Sequence, residues 1–188
     1  MSAVFTPIRH KLSVEDYHKL GEVGVLTEDS RVELIEGDLI DMAPIGGPHM
    51  RLVNRLTRLL VPAVGDLGVI SIQNPVTLPP RSEPQPDVAI LKPGMDSDAA
   101  VVPGPDDVLL LIEVADTTLF YDRNTKLKLY ASAGIVESWI VNLPSRCVEV
   151  YRELTADGYS RKLELGSGDT ISPLALPTVK VAVADIFG

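Results

Sequence analysis

Two acidic residues interrupt apolar runs in this chain. Asp87 lies in Gln85-Pro86-Asp87-Val88-Ala89-Ile90, and Glu113 follows Val108-Leu109-Leu110-Leu111-Ile112 and precedes Val114. The second run is apolar at every position, which marks a strand covered on both faces. A carboxylate there loses hydration, at a cost of several kcal/mol unless it is paired or binds a cation. Two such groups about 4 Å apart would repel by roughly 4 kcal/mol at an effective dielectric near 20. A divalent cation between them removes that repulsion, and a lysine close by suits phosphodiester hydrolysis.

Lys126 is the candidate lysine. Asp122, Lys126 and Tyr130 are spaced i, i+4, i+8 and share a helix face that could aim Lys126 over the two acids. The same spacing also describes a solvated Asp–Lys pair worth a few tenths of a kcal/mol, the commoner meaning on spacing alone. Glu33 and Glu36 have an odd offset on one hairpin strand, so they point to opposite faces. Either could approach a metal, although an exposed acid is the commoner role. His49 follows Gly46-Gly47-Pro48 and could be a ligand, a proton carrier or a helix-start residue without chemistry. Arg51, Arg55 and Arg58 run along one helix face and could follow a phosphate backbone; a solvated basic face is again commoner. Asp41 and Asp116 suit turns or caps. No Gly-rich phosphate loop, Cys/His zinc cluster or Gly-x-Ser-x-Gly elbow is present.

The elements that must position these residues are legible. Ser13-Val14-Glu15-Asp16 resembles a capping box opening a helix to about Leu20, with Gly21 and Gly24 ending it. Arg31–Glu36 and Asp38–Met42 flank Gly37 as a tight hairpin. A longer helix runs from about His49 to Val64, with Val53, Leu56, Leu60 and Ala63 at helical spacing. Strands follow near Val69–Gln73, Val76–Leu78 and Asp87–Leu91, and Lys92–Asp107 has no periodicity and reads as a mobile loop. After the Glu113 strand come a helix from about Asp122 to Ala133, a strand Ser138–Val141, and a hairpin of Cys147–Glu153 with Tyr159–Leu165. Short strands and a last helical turn complete the tail. Strands with two principal helices on a sheet make the class α/β or α+β.

The chain has 188 residues, 45% hydrophobic and 23% charged, the composition of one globular domain. No run of 18 apolar residues exists, and Met1–Pro7 lacks a signal pattern, so no membrane partner is expected. A single cysteine, Cys147, fits a reducing cytoplasm. The net charge of -9 weighs against non-specific nucleic-acid binding but leaves room for a local basic surface.

One arrangement of residues now matches a known pattern. It comprises Pro86-Asp87; Ile112-Glu113-Val114; Tyr121-Asp122-Arg123 with Lys126 and Tyr130; and Ala133-Gly134-Ile135-Val136-Glu137-Ser138-Trp139-Ile140-Val141. Val32-Glu33-Leu34-Ile35-Glu36-Gly37-Asp38, Pro48-His49, Leu176-Pro177 and Ile186-Phe187 extend it over nearly the whole chain. This pattern resembles the Uma-two family, endonucleases of the PD-(D/E)XK superfamily. The resemblance implies a single restriction-endonuclease-like domain over 1–188: a helical extension at 1–30, a nuclease core at 31–142 with a mixed sheet flanked by helices, and a β-hairpin region at 143–188. It implies that Asp87 and Glu113 are the superfamily's two acids. The simplest superfamily pattern puts a lysine two residues after the second acid, where this chain has Ala115; the resemblance implies that Lys126 takes that part from the helix. Glu33 matches the family's early Glu, and His49 a His that recurs there. Asn142 departs from a common Asp, and Asp96–Gly104 lacks the usual aromatic loop.

The expected activity is divalent-metal-dependent hydrolysis of DNA phosphodiesters. Asp87, Glu113 and the Val114 carbonyl would hold Mg²⁺ or Mn²⁺, with Glu33 as a direct or water-mediated ligand. Lys126 would orient water or stabilise transition-state charge, with Tyr130 and Asp122 as accessories. One rival is a nuclease-fold module that binds DNA or a protein without turnover. The other is a two-carboxylate hydrolase such as a glycosidase. An edge strand in the C-terminal half offers a route to a homodimer.

Overall fold

The computed structural model describes residues 8–27, 29–96 and 102–188. The reading of Met1–Pro7, and part of the Lys92–Asp107 loop, lie outside the described residues. The chain divides into two compact units: residues up to Met42 with Leu78–Pro84, and Ala43–Thr77 with Gln85–Gly188.

In the first unit, α1 spans Val14–Glu22. The Asp16 N–H donates to Ser13 Oγ at 3.1 Å, and the Ser13 N–H donates back to Asp16 Oδ2 at 2.9 Å. This reciprocal cap satisfies two orphan donors. Gly21 lies inside the helix rather than at its end. Strands β1 (Val32–Ile35) and β2 (Asp38–Asp41) pair antiparallel. Their turn places Glu36 and Gly37 at φ 48° and 82°, which suits a two-residue hairpin loop. Glu36 is thus a turn residue and has no strand face. Glu33 is buried with 3% exposure, against the expectation of an exposed acid.

The second unit is built on a six-stranded sheet in the order β3-β4-β5-β6-β7-β8. The strands are β3 (Val69–Ile72), β4 (Val88–Leu91), β5 (Val108–Ala115), β6 (Glu137–Asn142), β7 (Cys147–Thr155) and β8 (Gly158–Leu165). Among these described strands, β5 and β6 alone pair in parallel. Parallel neighbours need a crossover. Here it is α3 (Leu119–Tyr121), a π-helical turn (Asp122–Lys126) and α4 (Leu127–Ser132). This is the mixed α/β sheet flanked by helices expected above. Val76–Leu78 forms no strand; Leu78 makes only an isolated bridge to Ser82.

Helix α2 (Gly47–Val64) buries Leu52, Val53, Leu56, Leu60 and Val64, while Ala63 is exposed. The true stripe therefore runs through Val64. These side chains share a core with Val88, Ile90, Leu110, Ile112, Val114, Trp139, Val148 and Val150. Burying each such side chain contributes roughly 1.5–3 kcal/mol. Strand alternation turns Glu113 and Ala115 to the opposite face, where Ala115 packs with Leu127 and Ile140. Three short elements, β9 (Thr170–Ile171), β10 (Val181–Ala182) and α5 (Val183–Phe187), complete the α2 side of the core. Among the described residues, no helix is long and apolar enough to cross a membrane.

Candidate active site

Asp87 sits one residue before β4, at the end of a proline-rich approach. Val88 pairs with Ile112, so Asp87 stands level with Glu113 on the neighbouring strand. Its Oδ2 accepts the Val114 N–H at 2.8 Å and His49 Nε2–H at 3.0 Å. The side-chain amide of Gln73, the residue after β3 with φ 52°, donates to Oδ1 at 3.3 Å. A strand residue's N–H and C=O face the same edge, so the Val114 carbonyl is also directed to the Asp87 side. His49 lies in the first turn of α2. Its hydrogen bond to Asp87 raises its pKa above the ordinary value; burial opposes this, and the charges of Asp87, Asp122 and Asp116 add to it. His49 Nδ1 is buried and has no hydrogen-bond partner among the described residues.

Glu113, 4% exposed, is held from the crossover helix. Its Oε1 lies 3.3 Å from Lys126 Nζ and accepts the Tyr130 hydroxyl. Tyr130 is fully buried, and Lys126 and Asp122 are nearly so. The solvated-face reading of this trio therefore fails. Thr118 Oγ1 donates to Asp122 Oδ2 at 2.7 Å across the entry to the π-turn. A π-turn is wider than an α-turn, so it changes which residues share a face. Lys126 ends that turn, and Tyr130, one α-turn later, reaches the same carboxylate oxygen. At position 115 a lysine would enter the apolar cluster of Leu127 and Ile140, which explains the alanine there.

Glu33 belongs to β1 in the first unit. Arg51 and Arg58 are exposed on α2, whereas the half-buried Arg55 places its guanidinium against Gly188. Gln73 was missed, and nothing in its sequence context marks it. Glu149 was also missed although it carries the signal seen at Glu113, an acid between apolar neighbours, Val148 and Val150. It is fully buried, and burial would raise its pKa. Hydrogen bonds from Arg123, Tyr151, Asn142 and Lys162 outweigh that and lower the carboxyl to about 2.

Two acid clusters can be compared as cation sites. Cys147, Glu149 and Glu164 place ligand atoms within 4.8 Å of one another. Arg123 and Lys162 already compensate Glu149, so a further cation there meets two positive charges. Near Asp87 the donors are hard oxygens: two carboxylates on adjacent strands and the Val114 carbonyl. An orphaned imidazole nitrogen lies beside them. That set fits a hard divalent ion.

A family model described as "Uma2: Putative restriction endonuclease" matches residues 14–184. The fold is similar to a crystal structure titled as a putative nuclease belonging to DUF820 from Anabaena variabilis ATCC 29413. The two share 15% identity over 94% of this chain and 97% of that one, with a TM-score of 0.72. No curated protein matches.

Proposed function

This chain belongs to the Uma2 family, and from that membership we propose that it is a divalent-metal-dependent nuclease acting on phosphodiester bonds of DNA. The observation that carries the reading is the convergence on Glu113. Lys126 and Tyr130 reach its carboxylate from one helix, while Asp87 is anchored beside it by the N–H of the next residue, Val114. A lysine held against a buried carboxylate, with a second acid on the adjacent strand, suits phosphoryl chemistry and has no part in the two-carboxylate logic of a glycosidase.

Asp87, Glu113 and the Val114 carbonyl would hold Mg²⁺ or Mn²⁺. A bound cation would supply charge neutralisation at the phosphate and a more acidic water. Lys126 would place its ammonium where it can stabilise a developing phosphate charge or orient a water. Glu113, 3.3 Å away, would aim this ammonium, and Tyr130 would fix the carboxylate that does so. His49 and the Val114 N–H both hold Asp87 Oδ2, which restricts rotation of that carboxylate. Arg51 and Arg58, exposed on the helix that begins beside Asp87, are the proposed backbone contacts; they would offset locally a net charge of -9.

The test is cleavage of supercoiled, linear, single-stranded and branched DNA with Mg²⁺ or Mn²⁺ and with chelator. Wild-type protein should cleave at least one of these only with metal, and Asp87→Ala and Lys126→Ala should lose that activity while remaining folded. Undiminished cleavage by both variants would overturn the site. Metal-independent binding without cleavage would identify a binding module instead.

A further inference from the structure

The position of Lys126 raises a mechanical question. A lysine two residues after the second acid would be fixed by the strand itself. Lys126 instead depends on how the crossover helix is seated on the sheet. The π-turn that carries it, Asp122–Lys126, is a departure from regular helix, and such turns recur at functional sites.

One side chain of that turn reaches across the sheet. Arg123 Nε donates to Glu149 Oε2 at 3.0 Å, and Arg123 Nη2 donates to Oε1. This is a two-pronged guanidinium–carboxylate contact, the geometry that restricts orientation as well as distance. Glu149 has no exposed surface, so its end of the pair is not loosened by solvent. The remaining donors come from the sheet: Asn142 on β6 at 3.0 Å, Tyr151 on β7 at 2.5 Å and Lys162 on β8 at 3.0 Å. Lys162 also lies 5.7 Å over the Tyr151 ring. Three strands thus hold Glu149 still, and Arg123 alone among these partners belongs to the helix. It lies three residues before Lys126.

We propose that the Arg123–Glu149 contact is a tether that positions Lys126 for the reaction, making both of them positioning residues outside the reacting centre. The proposal rests on the nuclease reading above. It accounts for a buried acid that would otherwise have no role near the site. It also explains why the chain can move its lysine from a strand to a helix: the helix is pinned close to where the lysine leaves it.

Arg123→Gln is the cleanest cut, because Glu149 keeps Asn142, Tyr151 and Lys162. Turnover should fall about 10- to 100-fold with KM nearly unchanged, the scale expected of a small misplacement. Arg123→Lys should restore part of it. A readout independent of turnover is the rate at which an amine-reactive reagent labels Lys126, followed by peptide mass spectrometry. Lys126 is 7% exposed in the intact protein. Labelling should be several-fold faster in Arg123→Gln, and an unchanged rate would overturn the tether. Full activity in Lys126→Ala would overturn the nuclease site. Loss of activity in Lys126→Ala alone, with Arg123→Gln fully active, would overturn only the tether.

Discussion

Replacing Lys126 by methionine tests the energetic logic of the site without any substrate. The side chains have similar length, so the change mainly removes the ammonium group. Lys126 Nζ and Glu113 Oε1 are 3.3 Å apart, and both residues are nearly buried. At an effective dielectric near 20 their attraction is about 5 kcal/mol, of which desolvation cancels a large part. Breaking the pair is a different quantity, because it strands Glu113 in the interior; such losses run to roughly 3–5 kcal/mol. The Tyr130 hydroxyl still donates to Glu113, so the lower end, about 3 kcal/mol, is expected for Lys126→Met in chelator at pH 7.5. Adding Glu113→Gln removes the stranded charge and should recover about 2 kcal/mol of that loss. Urea unfolding followed through Trp139 suits the measurement. This is the sole tryptophan, fully buried on β6 one strand from Glu113. The reasoning is refuted if Lys126→Met lies within about 0.5 kcal/mol of wild type, the scale of an exposed pair. It is equally refuted if the double variant is no more stable than the single one.

Two further perturbations follow from the same packing. The Glu149 carboxyl is lowered from 4.5 to about 2 in the fold, so on acidification the unfolded chain takes the proton first. Its contribution, roughly 3 kcal/mol, is fully present above about pH 4.5 and is lost as pH falls through about 2. Unfolding free energies of wild type and Glu149→Gln, measured from pH 7 to pH 2.5, should therefore converge; parallel curves would contradict the assignment. On the other face of the sheet, Leu56 of α2 is fully buried. Leu56→Ala should cost about 2–5 kcal/mol in the same urea assay, and a loss below about 1 kcal/mol would show that the helix does not pack as described.

Much of this protein can be read residue by residue. The unbroken apolarity of Val108–Ile112 announced a covered strand, and β5 is one. Ser13 and Asp16 announced the cap of α1, and Gly37 the β1–β2 turn. The acids at 87 and 113 stood out because an ionised group in an apolar run needs a partner. The same argument applies to Glu149, whose partners come from positions 123, 142, 151 and 162, and no local pattern links them. The local pattern around Glu33 leaves its exposure open, and in the fold Glu33 is buried. Glu36 leaves the strand because the turn begins one residue earlier than the Gly37 signal implies.

The sequence by itself determined which residues had to be inside and which of those carried charge, because hydropathy and period are properties of the chain. It could name the two acids and the lysine. Tertiary structure alone decided how they meet. The β4–β5 register brings Asp87 level with Glu113, and a π-turn delivers Lys126 and Tyr130 to one carboxylate oxygen. His49 and Gln73 reach Asp87 from α2 and from just past the end of β3. Such contacts join segments up to 38 residues apart, and they depend on where whole elements pack. That information is absent from any local window of residues.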